Sequence, residues 1–446
     1  MKRPRPSTTY TRRQAIAALA GISMALAAPH RLRAASTPQR LRLAFIGVGG
    51  HGRANVLNLA DHELVAFADV DDVRASEIYA QFPAVPHYRD YRALLDRHAK
   101  SIDGVVVSTP DHLHLTMGRA VIDAGKHLYL EKPLAPTLWE CRELRRAAES
   151  SRVKTQLGVH GHGFEALRVL REWLDAGAAG RVESVVLWSD RMKPRDFVHA
   201  DAPAAGVAVP ATLDWSLWLG PRHARPYSPL YAPNRWRNWW DFGAGPLTDI
   251  GVHMFDVLQF ALDLPSPELV AAETADRSAF TAPAWSRVEW RFAAASNRGP
   301  LSVTWIGGHR DGVLVKPDTV PGLPAELLTK TDNGIAFVGT EGTLFIPDMR
   351  ASVRPRIFPL EREREFMAAL PPRRLPRPVG GHHQDWIDAI RQDRPASAPF
   401  SYGAPLTETV ILGTLAQRTG KPVRWNADEL RVLDNPEAAA LIRPPG

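Results

Sequence analysis

Leu41-Arg42-Leu43-Ala44-Phe45-Ile46-Gly47-Val48-Gly49-Gly50-His51-Gly52 is the stretch on which the fold turns. An apolar, β-prone run ends in a glycine-rich turn. The spacing of Gly47, Gly49 and Gly52 between a strand and a helix lets the main chain approach a pyrophosphate at the helix N-terminus. Gly50 and His51 complete that turn as candidate cofactor contacts. A second short apolar run, Leu64 to Ala68, ends at Asp69. That is about 20 residues on, where a carboxylate can hydrogen-bond both ribose hydroxyls and repel a 2′-phosphate. The two features together predict NAD rather than NADP.

Further strands are expected at Gly104 to Ser108 and His127 to Leu130, with helices at Tyr91 to Arg97 and Leu115 to Ala124. Such alternation implies a parallel sheet covered on both faces. Thr137-Leu138-Trp139-Glu140 has capping-box spacing ahead of a helix running to Ser150. From residue 155 the pattern changes: a helix from Phe164 to Ala176 stops at Gly177, and a strand covers Val182 to Ser189. Ser286 to Ala293 and Leu301 to Ile306 alternate apolar and polar residues without helices between them, the mark of an antiparallel sheet with one open face. Such a face often packs on another subunit, so a homo-oligomer is expected. Asp311 to Pro378, rich in proline and charge, is expected to hold long loops around a strand at Ile335 to Gly339. The fold class is α/β: an N-terminal Rossmann domain with a parallel sheet over residues 41–154, then a C-terminal α/β domain with an open, mostly antiparallel sheet over 155–446 for substrate binding and oligomerisation.

The formal net charge of +7 suggests an anionic partner until the charges are located: eight of the first forty residues are Lys or Arg and none is acidic. The rest of the chain is near neutral, which argues against nucleic acid or an anionic membrane surface. Thr11-Arg12-Arg13-Gln14 precedes the apolar run Ala15 to Ala28, short of the roughly 20 residues a spanning helix needs. Residues 1–40 read as a twin-arginine leader, giving a periplasmic or otherwise exported protein with no stable membrane span once mature. Cys141 is alone, so no intramolecular disulfide can form.

Ser108-Thr109-Pro110-Asp111-His112-Leu113-His114, Glu131-Lys132-Pro133, Thr155-Gln156-Leu157-Gly158, Trp215 to Gly220, Asp241-Phe242-Gly243-Ala244-Gly245 and Leu406 to Thr419 resemble the Gfo/Idh/MocA oxidoreductases, the family of glucose-fructose oxidoreductase and inositol dehydrogenase. The resemblance covers nearly all of the chain after the leader. It implies the same two domains, often oligomerising through the open sheet. It also adds Thr109, Pro110, His114 and Glu131 to the cofactor contacts, places Lys132 beside nicotinamide and substrate, and puts a cis peptide before Pro133. An ammonium next to a carbinol oxygen stabilises the alkoxide that develops as hydride leaves.

Asp249 and His253 lie four residues apart, on one face of an otherwise apolar helix through Leu262. Spacing alone leaves two readings: a proton acceptor, with Asp249 orienting it or binding a substrate hydroxyl, or a satisfied core histidine bonded to a neighbouring carboxylate. The resemblance implies the first. His160 and His162 fall where relatives carry Gly-Asn-Gln-Gly-His, but Val159 and His160 replace the two amides, so specificity cannot be carried over. With Tyr231, Trp236 and Arg237 they are the candidate substrate contacts. The stretch from Asn234 to Phe242 offers flat rings and bidentate donors suited to a sugar, or equally to a core or subunit contact. His160, His162, His382 and His383 lack tight ligand spacing, and no metal is expected.

The function expected is NAD-dependent oxidation at a CH–OH group of a sugar or sugar derivative. A protein exported folded would carry NAD tightly bound and have to recycle it internally. The alternative is an NAD-dependent glycosidase acting through a transient 3-keto intermediate and elimination, which needs a further acid/base such as His160, His162 or Tyr231. A catalytically silent NAD-holding subunit would have lost Lys132 or His253, and both are present.

Overall fold

The computed structural model describes residues 40–191, 200–295, 299–370 and 372–444. The expected leader lies outside them. Six parallel strands form the first sheet in the order β3-β2-β1-β4-β5-β6: β1 Arg42–Ile46, β2 Glu63–Ala68, β3 His87–Tyr88, β4 Gly104–Val107, β5 His127–Leu130 and β6 Thr155–Leu157. The central strands are apolar almost throughout because helices cover both faces, and Val105, Val106 and Val107 are fully buried. Short polar side chains start the covering helices. Asp71 accepts from the amides of Val73 and Arg74, and Asp90 from that of Arg92. Thr137 Oγ1 accepts from the Glu140 amide and donates to the Glu140 carboxylate, giving the expected capping box.

The second sheet runs β14 (Arg356–Phe358), β13 (Thr343–Ile346), β12 (Asn333–Gly339), β7 (Val182–Ser189), β10 (Leu301–Arg310), β9 (Trp285–Phe292), β8 (Leu269–Thr274), β15 (Val423–Asn426) and β16 (Arg431–Leu433), with β11 (Val313–Leu314) beside β10, and all its pairs are antiparallel except β7 with β10. Alternation along β9 (Trp285–Phe292) buries Val288, Trp290 and Phe292 and leaves Arg287 and Arg291 exposed. Behind the buried face lies the helix Phe400–Thr419, where Gly413 leaves room for the Trp290 ring.

Three expectations need correction. The parallel sheet continues past residue 154, because Thr155–Leu157 pairs with β5. Residues 155–446 do not all belong to the second sheet either. The helix Gly381–Arg391 returns to the first, where Trp386 and Ile387 pack with Leu43, Phe45, Val106 and Tyr129. A sheet face needs cover, and this chain supplies part of it from its far end. The segment 311–378 is also more ordered than its composition suggests, holding strands Thr343–Ile346 and Arg356–Phe358 and helices Ala325–Lys330 and Leu360–Ala368. The last helix buries only Phe366, so its sequence shows charge rather than an apolar period.

Trp386→Ala should cost about 3–5 kcal/mol, the range for emptying a buried aromatic site, read as a lower urea midpoint. A loss below about 1 kcal/mol would show that the returning helix is dispensable to the parallel sheet.

Candidate functional site

The C-terminal ends of the parallel strands open into a cavity of about 240 Å³, with the glycine turn and Asp69 at one end and Lys132, Asp249 and His253 at the other. At the first end, glycine is required by geometry. Gly47 has φ +79°, and a Cβ on Gly52 would lie 1.9 Å from the Gly47 carbonyl oxygen. The helix His51–Asn58 begins without a side-chain cap, leaving its first amides available to an anion. Asp69 Oδ2 accepts from the amides of Val48 (2.9 Å) and Gly49 (3.0 Å), and Oδ1 from that of Asp71 (3.0 Å). Burial pushes this carboxyl up and the three amides pull it back. A glycine-only main chain, an uncapped helix and a carboxylate at the strand end fit a dinucleotide with a free ribose diol.

Thr109 and Pro110 line the cavity, as does Gly49, while Gly50 and Gly52 shape the turn behind it. His114 does not reach the cavity. Its ring nitrogens lie 2.8 Å from the Pro133 oxygen and 3.0 Å from the Thr109 oxygen, joining the two loops that carry Thr109 and Lys132. Glu131 faces inward and accepts from Asn55 Nδ2 at 2.9 Å, with His51 Nε2 at 3.3 Å. Burial alone would raise Glu131, but His160, His51 and the Asn55 amide hold it well below the usual carboxylate range.

At the chemical end, Lys132 follows β5 and precedes a cis peptide to Pro133, as expected. Its Nζ donates to Asp249 Oδ1 at 2.5 Å and to the Asp249 carbonyl at 2.8 Å. Arg237 Nε donates to the same Oδ1 at 3.2 Å while its guanidinium lies over the Trp236 ring. Burial works against the Asp249 anion, yet Lys132 and Arg237 outweigh it and hold the carboxyl far below its ordinary value. His253 is buried, and neither ring nitrogen has a hydrogen-bond partner. Burial, then the charges of Lys132 and Arg350, push it well below the usual histidine range. It is therefore neutral at pH 7 and has a free lone pair.

Asp249 does not orient His253, which corrects one expectation. Leu247–Gly251 is a π-type turn leading into the α-helix Val252–Leu262, not part of one regular helix, and the carboxylate is taken by two cations instead. His160 lines the cavity, 3.2 Å from the Tyr129 hydroxyl, and Trp236 and Arg237 line it as well. His162 and Tyr231 do not. His162 Nδ1 pairs with Asp256 at 2.8 Å behind the wall. The Tyr231 hydroxyl accepts from the Ala204 amide at 2.8 Å, inside an aromatic cluster with Trp239 and Phe242. Both are satisfied core residues, whose chain neighbours reach the cavity in their place. His383 bonds Asn55 and stacks on Tyr129, and His382 bonds the Leu157 carbonyl. The two fasten the returning helix beneath the site. Chain spacing gave no sign of a metal, yet the ligand atoms of His51, Glu131 and His160 come within 4.8 Å of one another in space.

Sequence reasoning missed three residues. Asp111 stands in the quoted Thr-Pro-Asp-His motif, which was the available signal. It is buried in the cavity wall, and desolvation drives its carboxyl well above the ordinary value despite Lys132 and Arg237 nearby. One neutral and one ionised carboxyl beside the same lysine is an arrangement that separates acid from base roles. Asn55, bridging Glu131, Ser108 and His383, and Arg350, from the loop-rich segment, carry no periodic signal.

The buried histidines set a pH dependence. Burial lowers His112 to about 3 and His383 to about 4, so below about pH 6.5 the unfolded chain binds protons that the folded one cannot. Stability is then lost as pH falls, by about 1.4 kcal/mol per pH unit for each such histidine, until the folded value is reached. Urea midpoints should drop steadily from pH 7.5 through 6 to 5, and a flat profile would contradict this assignment.

Residues 41–159 match the Gfo/Idh/MocA oxidoreductase family's NAD-binding Rossmann domain, and residues 198–298 match its C-terminal α/β domain. Levoglucosan dehydrogenase from Pseudarthrobacter phenanthrenivorans is 26% identical over 234 residues, 50% of this chain and 51% of that one. An α-N-acetylgalactosaminidase from Shewanella oneidensis is 36% identical over 143 residues, 29% of this chain and 31% of the other. The chain spans about a third to somewhat over half the length of the curated relatives it matches. In fold it is similar to the WlbA dehydrogenase of Bordetella pertussis, solved with NADH and UDP-GlcNAcA, with a TM-score of 0.59 at 15% identity, covering 87% of this chain and 98% of that one. The two domain models of the Gfo/Idh/MocA oxidoreductases thus match this chain in order along one polypeptide, the NAD-binding domain first and the C-terminal domain after it.

Proposed function

We propose that this protein is an NAD-dependent oxidoreductase acting on a CH–OH group of a sugar or sugar derivative. One observation carries the reading: a neutral, unpartnered His253 opens into the same cavity as a lysine clamped between the carboxylate and carbonyl of Asp249. Bound NAD supplies the hydride acceptor. His253 takes the hydroxyl proton, which a neutral imidazole can do and an imidazolium cannot. Lys132 stabilises the oxygen's developing charge, and Asp249 fixes the position of its ammonium. Trp236 offers a ring face and Arg237 its remaining N–H groups to the sugar. The relative named for levoglucosan supports a carbohydrate substrate.

The expected twin-arginine leader belongs to the same proposal. A protein exported folded would reach the periplasm with its cofactor bound, so the hydride taken from one carbinol would return to a carbonyl of the same or a second sugar. The half-open C-terminal sheet supports assembly into a homo-oligomer. A second reading, a glycosidase that oxidises at C3, eliminates the aglycone, adds water and reduces the ketone again, draws on Asp111. A buried neutral carboxyl beside Lys132 can protonate a leaving group, and the α-N-acetylgalactosaminidase relative is consistent with it.

Denaturing the purified protein and weighing the released small molecules, then incubating native protein with sugars and glycosides without added cofactor, tests the proposal. Stoichiometric NAD with unaided turnover is expected, and free sugar acids or ketoses as against released aglycone separate the two readings. Protein that comes empty and turns over only with added NAD would remove the internal cycle. Lys132→Ala should lower turnover by about 10²–10³-fold while NAD binding persists, and near-normal turnover would remove the mechanism. Asp69→Ser should relax the preference for NAD over NADP. An unchanged affinity ratio would refute its ribose role.

A further inference from the structure

We infer that the sugar bound here is anionic, carrying a carboxylate, and that Arg350 receives that carboxylate. The inference deepens the proposed function and rests on it for the word sugar. The Arg350 side chain lines the cavity on the side of His160 and His253. Its Nε is buried without a hydrogen-bond partner, and among the described residues no carboxylate forms an ion pair with its guanidinium. The nearest acid in sequence is occupied elsewhere: Asp348 accepts from the amides of Arg350 and Ser352 and from the Ser352 hydroxyl. That turn is built rather than loose. Ala351 holds φ +51°, and the main chain of Arg350 packs so closely on Gly161 that an added Cβ would meet the Arg350 carbonyl oxygen at 2.7 Å.

The charges at this end do not balance. Lys132 and Arg237 share the single carboxylate of Asp249, burial drives the Asp111 carboxyl well above its ordinary value, and Glu131 is turned to Asn55 and His51. Arg350 is left as a half-buried cation with nothing opposite it, an arrangement that costs stability until an anion arrives. A guanidinium fork fits the two oxygens of a carboxylate in one plane.

Methyl hexuronides and the matching neutral methyl hexosides of the gluco, galacto and manno series provide the test, titrated into the full-length, cofactor-loaded protein by calorimetry. In the series that binds, the uronide should bind roughly tenfold or more tightly than its neutral partner, the effect of a charge-assisted hydrogen-bond pair. In Arg350→Gln that ratio should fall to near one, and Arg350→Lys should keep part of it. Equal affinity of acid and neutral sugar, a ratio unmoved in Arg350→Gln, or no binding by any uronide overturns the inference. Reduced-nicotinamide absorbance is read in parallel. Uronide preference without hydride transfer keeps the anion site and discards the oxidoreductase reading; hydride transfer from neutral sugars with no preference does the reverse.

Discussion

The ion pair between Lys132 and Asp249 fastens the end of a parallel strand to the π-type turn that opens the second half of the molecule. Both groups are largely withdrawn from water, where an unpaired charge is costly. The lysine keeps the carboxylate charged. The carboxylate and its own carbonyl hold the ammonium in one place, and Arg237 supports the anion from the other side. Burial holds His253, in the following helix, well below the usual histidine range, and the charge of Lys132 adds to that effect. The acid–base character of the cavity therefore follows from one contact between two distant parts of the chain.

A second layer of polar contacts keeps that geometry rigid. His114 joins the Thr109 and Pro133 carbonyls, Asn55 joins Glu131, Ser108 and His383, and His162 joins Asp256. Each replaces the hydration that a buried carbonyl, amide or carboxylate would otherwise lose. Histidine suits this role because a neutral ring offers one N–H donor and one acceptor nitrogen.

The cofactor half of the site was legible in the sequence because its constraints are local: glycine where φ is positive, a carboxylate where the next strand ends, a helix start between them. Lys132, Asp249 and His253 were legible through motif resemblance, and the structure brings all three to one cavity. What the sequence hid was set by contacts across long separations. Whether His160 or His162 faces the cavity depends on a short 3-10 turn, and Tyr231 on an aromatic cluster assembled from several loops. Arg350 sits in a stretch without periodicity, so only the folded chain shows that its charge is unanswered. The π-type turn is invisible to a reading that assumes 3.6 residues per turn, which is why the Asp249–His253 contact was expected and is absent.

The helix Gly381–Arg391 lies on the first sheet, although it is made long after the last strand of that sheet. Until it emerges from the ribosome, Leu43, Phe45, Val106 and Tyr129 are packed only by nearer residues such as Val56, Leu59, Ala75 and Ile78, and the Trp386 and Ile387 share of their cover is missing. The order of events during synthesis is thus inverted relative to the order of domains: the first domain encoded is among the last completed.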